Sequence, residues 1–385
     1  MMDEFLINTT TAGDQVQPSV CGLQGTQFVV VWEDGSDGTI KGQLLGANGV
    51  KSSPEFLVNL PTPAGPRRLL PAVVEHGSGF VVAWNEQAAG SPATAPSQLK
   101  VRLFDMDTLS GPEIQVSSSP VERLIRPAMA RLKDGNFIVV WADQRENERI
   151  RGQRFDREGA RVGPEFRANT APGLHRVPMV ICLANGNIVI GWRARIMPAL
   201  HIRFQIFDAQ GPMGGEQITS PTTTAAAMVA LDNGRFVLAH LNDFGEDATA
   251  DTLIVPELDV FEANGTFANI RIPATSEQRI QATWPMLAPL SGGRFLHAWV
   301  QFNVDITPPT TNVKARVFSA QGALGQVTQV NTSTGGDRFS LAATTMSGPD
   351  GETLFAAWND ETHSGGDPTS RDVRGRPLPI PAGGF

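Results

Sequence analysis

Residues 28–32 read FVVVW. The phrase returns as FVVAW at 80–84, FIVVW at 137–141, IVIGW at 188–192, FVLAH at 236–240, FLHAW at 295–299 and LFAAW at 354–358. Trp32, Trp84, Trp141, Trp192, Trp299 and Trp358, with His240, hold one position, at successive gaps of 52, 57, 51, 48, 59 and 59 residues. Self-similarity at a fixed period of this size marks a repeat architecture.

The phrase sits inside a longer unit. Pro18, Pro127, Pro178 and Pro285 precede the Trp position by 14 residues, and Pro71 by 13, opening a first strand. A third strand and turn follow as LLGANG (44–49), RFDREG (154–159), IFDAQG (206–211), VFEANG (260–265) and VFSAQG (317–322). A fourth reads EFLVN (55–59), EIQVS (113–117), EFRAN (165–169), EQITS (216–220) and TQVN (328–331). Four short strands in a meander cannot bury both faces of their sheet, but radial stacking of such sheets can. The expectation is an all-β, seven-bladed β-propeller of four-stranded antiparallel blades forming one domain over 1–385, with approximate repeats 8–58, 59–116, 117–168, 169–219, 220–272, 273–330 and 331–380. The last repeat runs out after its third strand, and the missing fourth appears at the start of the chain as EFLIN (4–8). That strand is expected to complete the last blade and remove two raw edges.

Composition agrees. Hydrophobic residues are 41% and charged residues 18%, with 39 Gly and 28 Pro, a globular make-up rich in turns. The formal net charge of −8 argues against nonspecific nucleic-acid binding. The opening MMDEFLINTT has neither the basic nor the apolar region of a Sec signal, so cytoplasmic placement or non-Sec export is expected. No apolar run reaches bilayer length, so no membrane insertion is expected. Cys21 and Cys182 fall on first strands of repeats one and four, too far apart across a ring for a disulfide, and no Cys/His cluster suggests zinc.

Strand order separates two rims. Turns between first and second strands, such as KDGN (133–136) and ANGN (184–187), are short and alike. Connections from second to third and from fourth to first strands vary, and variable loops on a rigid scaffold are where function sits. On that rim Asp34, Glu86, Asp143 and Asp360 recur two positions past the Trp site. They cap turns, or in the densest loops offer oxygen ligands to Ca²⁺, with Asp34 and Asp37 of EDGSDG (33–38) as the metal candidates. Arginines precede five of the seven innermost strands. Arg68, Arg126, Arg176 and Arg338 are expected to converge on the axis as a positive funnel for carboxylate, sulfate or phosphate groups, with local salt bridging as the alternative. Trp284 is a stacking or packing ring at the start of an innermost strand, and Asp143, Asp360 and His363 complete the expected ligand-binding set. His76, His240 and His297 read as structural, whereas His175 is the candidate base if the protein is an enzyme.

FLINTTTAGDQVQPSV (5–20), QFVVVWEDGSDGTIKGQ (27–43), RLKDGNFIVVWADQ (131–144) and IRGQRFDREGARVGPEF (150–166) resemble a repeat of large secreted bacterial proteins of the haemolysin-type calcium-binding and adhesin classes. The resemblance implies a propeller and an extracellular, lectin-like adhesive binding role. The chain lacks the glycine-rich nonapeptides that bind calcium in that family.

Three functions follow as expectations. The leading one is a binding protein for a glycan or other anionic small molecule on the variable rim. The second is a hydrolase or lyase at the channel mouth, with the arginines neutralising an acidic substrate and His175 as base. The third is a scaffold docking a partner protein. No cofactor other than calcium is suggested.

Overall fold

The computed structural model describes residues 3–24, 26–61, 65–92, 94–106, 111–121, 125–143, 149–196, 199–222, 226–241, 256–273, 281–303, 310–333, 336–361 and 370–385. Among these there is no helix. There are seven four-stranded antiparallel sheets, each a meander. The innermost strands, A, are Gln15–Leu23, Arg67–His76, Ala128–Arg131, Leu174–Cys182, Ala226–Ala230, Gln281–Pro289 and Arg338–Gly348. The second strands, B, carry the recurring phrase, from Gln27–Asp34 in blade 1 to Gly351–Asp360 in blade 7. The outermost strand of blade 7 is Phe5–Leu6, which pairs with Asp372–Ile380 through Phe5 opposite Gly375 and Leu6 opposite Arg374. The ring therefore closes with hydrogen bonds between the two ends of the chain, as the EFLIN match predicts.

The phrase works because successive strand residues face opposite sides. In blade 1, Phe28, Val30 and Trp32 enter the seam with blade 7, whereas Val29 and Val31 enter the seam with blade 2. A strand buried on both faces reads as a continuous apolar run. The buried apolar side chains form seven clusters, one for each seam. Trp32, Trp84, Trp141, Trp192 and Trp358 each pack back against the preceding blade. In blade 5 His240 takes the Trp place, fully buried, its Nε2 3.1 Å from Asp259 Oδ2.

The polar letters of the repeat are equally structural. Asn8, Asn59, Asn169 and Asn331, the last letters of the fourth-strand phrase, each accept a third-strand amide at 2.8 Å, from Val373, Ile40, Ile150 and Val313. The Glu of the same phrase reaches in two directions. Glu216 binds Arg203 within its blade at 2.7 Å and accepts the Ala171 amide, in the connection from blade 3, at 2.9 Å. Glu55, Glu113 and Glu165 likewise accept the amides of Thr9, Leu60 and Ser118, in the connections from the preceding blade, at 2.7, 2.7 and 3.0 Å. The glycine of the IKGQ and IRGQ phrases leaves room for the outer-strand ring: a Cβ on Gly42 would lie 2.5 Å from Phe56, and one on Gly152 2.6 Å from Phe166. Cys21 and Cys182 are both free thiols.

Candidate functional site

The inner strands are regular except where they approach the variable rim. There the ladder slips between Val16 and Ser19, Leu69 and Ala72, Arg176 and Met179, Thr283 and Met286, and Phe339 and Ala342. Gln17, Leu70, Val177 and Ser340, the first residues inside four of these bulges, have φ of 57°, 57°, 51° and 51°. Non-glycine residues rarely adopt this left-handed region, and each costs roughly 1–3 kcal/mol unless its surroundings enforce it. Two are held from the neighbouring blade: the Gln17 amide donates to Asn359 Oδ1 at 3.0 Å and the Leu70 amide to Glu33 Oε1 at 2.6 Å. By chain position Arg126 and Trp284 are their counterparts in blades 3 and 6, each directly before the strand-opening proline. The bulge thus recurs in the inner strands of blades 1, 2, 4, 6 and 7 among the described residues.

Arg126 uses that position to bridge blades. It reaches from blade 3 past blade 2 to blade 1, donating from Nη1 to the Pro18 carbonyl at 2.9 Å and from Nη2 to the Gln17 carbonyl and Oε1 at 3.0 and 2.9 Å. Burial lowers its pKa to about 10, against the pull of Glu33. Glu33 responds in the opposite sense: burial raises its carboxyl above the usual range despite the Leu70 amide, Arg126 and Arg67.

The other arginines divide by strand parity. Arg68 and Arg338 lie opposite Glu86 and Asp360, the same cross-strand position that Gln15 and His175 take opposite Asp34 and Ala194. All four are nearly or fully buried. Arg68 Nε meets Glu86 at 3.2 Å. Arg338 donates to the Thr311 carbonyl at 2.6 Å and to the Ser333 carbonyl and hydroxyl at 2.8 and 2.6 Å, fastening blade 7 to blade 6. A one-residue shift along a strand changes which face a side chain takes, so these two guanidinium groups enter seams and do not join a funnel. His175 is 1% exposed, its Nε2 3.0 Å from the Ala171 carbonyl and its ring edge-on to Trp192 at 6.0 Å. Burial lowers its pKa, and its ring packs against Trp192.

Arg176 lies one position further along the strand, directly across the ladder from Arg193 of the same blade. Both are part-buried, and the Arg193 pKa is lowered by burial and then by Arg176. Like charges directly opposite each other are destabilising. The sequence reading passed over Arg193, as it did Glu33. Both stand one residue after the recurring Trp, with Asn85 and Asn359, and the signal was that shared position. Side chains there point away from the Trp face: Glu33, Asn85 and Asn359 bond the next blade at Leu70, Ile125 and Gln17.

The carboxylates two past the Trp bind within their own blades. Asp34 meets Lys41 at 2.5 Å, Glu86 meets Lys100 at 2.7 Å, Asp143 meets Arg151 at 3.1 Å and Asp360 meets Arg374 at 2.8 Å. Asp34 Oδ1 also accepts the Ser36 amide at 2.8 Å and Gln15 at 3.1 Å, while Asp37 caps Thr39 through its amide at 3.0 Å. Asp34 and Asp37 are thus engaged by a cation and by turn amides, and among the described residues no three His, Cys, Asp or Glu side chains gather as metal ligands. His363 lies outside the described residues. The Trp284 backbone belongs to the inner strand of blade 6, but its side chain lies outside the description.

No family model and no curated protein matches the chain. Solved structures share the fold. The β-propeller domain of the Trilobed protease from Pyrococcus furiosus is similar at 12% identity and TM-score 0.52 over 94% of each chain. A polysaccharide lyase is similar at 9% identity and TM-score 0.58 over 97% of this chain and 91% of that one. The Penicillium chrysogenum α-L-arabinanase complexed with arabinobiose is similar at 12% identity and TM-score 0.52 over 77% and 93%. These likenesses establish the propeller, and none of them leads to the calcium-binding or adhesin proteins that the repeat resembles.

Proposed function

We propose that this propeller binds an acidic glycan or a comparable anionic ligand at the axial mouth of its variable rim, with Arg176 and Arg193 of blade 4 as the principal donors. The observation that carries this reading is the placing of two part-buried arginines as cross-strand partners on adjacent strands, at the rim where the inner strands are bulged, with Arg176 lowering the Arg193 pKa. An anion that reaches this pair meets two positive charges and planar N–H donor geometry suited to carboxylate or sulfate. Arg126 bridges blades 3 and 1 and is taken up by Gln17 and Pro18, which leaves Arg176 and Arg193 of blade 4 as the donors of this reading. The glycan class draws support from propellers of the same fold whose names are those of an arabinanase and a polysaccharide lyase. Asp143 and Asp360, held by Arg151 and Arg374, set the rim charge and do not contact the ligand directly.

Calorimetry at low salt with oligogalacturonate, a heparin-derived hexasaccharide and inorganic sulfate tests this. We expect salt-sensitive binding, weakened roughly 10- to 100-fold by Arg176→Ala or Arg193→Ala, since a charged hydrogen bond contributes about 1.5–3 kcal/mol. Absence of binding to all three probes, or binding indifferent to both substitutions, overturns the reading.

A second reading has one observation in its favour. Glu33 is a carboxyl at the axis with a raised pKa beside a desolvated Arg126, the pairing expected of an acid/base centre. The chain contains no tyrosine, so a hydrolase or lyase here would depend on Glu33 and not on a phenol. Turnover of an acidic polysaccharide abolished by Glu33→Gln would favour it over simple binding.

A further inference from the structure

Blade 2 differs from its neighbours in one connection. Between its second strand, ending at Gln87, and its third, starting at Gln98, lie ten residues, where blade 1 has four between Asp34 and Thr39. This insertion is tied down. Gln87 Nε2 donates to the Ala95 carbonyl at 2.6 Å, the Ala95 amide to the Pro92 carbonyl at 2.8 Å, and Ser97 and Val121 exchange amide bonds at 2.8 and 2.7 Å. Between the tied loop and the two connections that flank it is a cavity of about 470 Å³. Its walls are Pro66, Pro96, Pro120 and Ala89, and its polar groups include Glu86 and Gln98.

The chemistry of the lining selects a ligand. Three prolines hold their backbone φ near one value, so the walls are formed before anything binds. They offer flat C–H surface and no backbone N–H. Glu86 lies at the polar end with Lys100 on Oε1 at 2.7 Å and Arg68 on Oε2 at 3.2 Å. Glu113 holds the same Lys100 at 2.9 Å, so the two carboxylates balance the two cations, while each Glu86 oxygen retains a second acceptor position. The Gln98 amide both donates and accepts. An apolar-walled notch with acceptors, one amide and no net charge suits a neutral polyol better than an ion.

We infer that this notch is a second ligand site, separate from the axial mouth, that takes one or two neutral sugar rings: ring C–H groups against Pro66, Pro96 and Pro120, a hydroxyl donating to Glu86 and another bonded to Gln98. The volume is that of a small-ligand site. The inference does not rest on the axial reading, because it uses none of Arg126, Arg176 or Arg193 and a different ligand charge.

The test is calorimetry and ligand-observed NMR on the whole chain with maltose, cellobiose and arabinobiose, up to about 20 mM. Binding in the millimolar range by at least one is expected. Ala89 is exposed, so Ala89→Trp fills the notch without entering the core, and it should weaken that binding at least 10-fold. Ala89→Ser should keep it, Gln98→Ala should weaken it several-fold, and Arg176→Ala should leave it unchanged while reducing sulfate or oligogalacturonate binding. No binding by any of the three sugars overturns the inference. So does sugar binding that survives both Ala89→Trp and Gln98→Ala, or that is lost in Arg176→Ala, which moves the sugar to the axis.

Discussion

Arg126 Nη2 lies 3.0 Å from the Gln17 carbonyl and 2.9 Å from Gln17 Oε1, although the two residues are separated by 109 positions and by an entire blade. It ties blade 3 to blade 1 above the inner strand of blade 2, and it holds Gln17 in a conformation that few side chains adopt.

Arg126→Ala should therefore destabilise the fold by about 2–4 kcal/mol, because it leaves the Gln17 and Pro18 carbonyls without their donors in a desolvated place. Arg126→Lys should recover less than half of that, since a point charge cannot bond both residues as a fork does. Urea unfolding of the three proteins measures it, and equal stability of Lys and Arg variants would deny the geometry.

Ring closure has a single-residue test. Asn8 Oδ1 accepts the Val373 amide at 2.8 Å and its Nδ2 donates to Asp372 Oδ1 at 2.9 Å, both across the joined termini. Asn8→Ala is expected to cost about 2–3 kcal/mol, with protection of the Val373 amide lost first in hydrogen exchange. A change within 0.5 kcal/mol would mean the first strand contributes little to closure.

His297 is fully buried, stacked on Trp299 at 4.9 Å, and burial lowers its pKa to about 3. The folded form stays neutral while the unfolded chain takes up a proton below about pH 6.5, so the unfolded state binds more protons and stability falls as pH falls from 6.5 towards 3. The slope from this residue is about 1.4 kcal/mol per pH unit. His297→Phe should flatten the stability profile between pH 6.5 and 5, and an unchanged profile would place a proton on the buried ring.

Calcium should not matter at EDGSDG. Asp34 already carries Lys41 at 2.5 Å and Asp37 caps Thr39. Millimolar CaCl₂ should leave the melting temperature where a matched concentration of NaCl leaves it, because an ion that does not bind the folded state cannot stabilise it. A calcium-specific rise that Asp34→Asn abolishes would reinstate the metal site.

What could be read in the sequence follows from what a strand must do. FVVVW is apolar throughout because both faces of a second strand are seams, and Asn59, Asn169 and Asn331 recur because each caps the same third-strand amide. Such letters repeat with the blade, so their number and order determined the fold, the blade count and even the return of EFLIN to the last sheet. The site did not repeat. Whether Arg68, Arg126, Arg176 and Arg338 meet depended on strand parity and on bulges of one residue, which shift a side chain from the axis to a seam without leaving a mark in the letters. Arg193 and Glu33 gained their importance only from what the ring set beside them. A local pattern records what each blade needs from its own neighbours, whereas a site between blades exists only once the ring has closed.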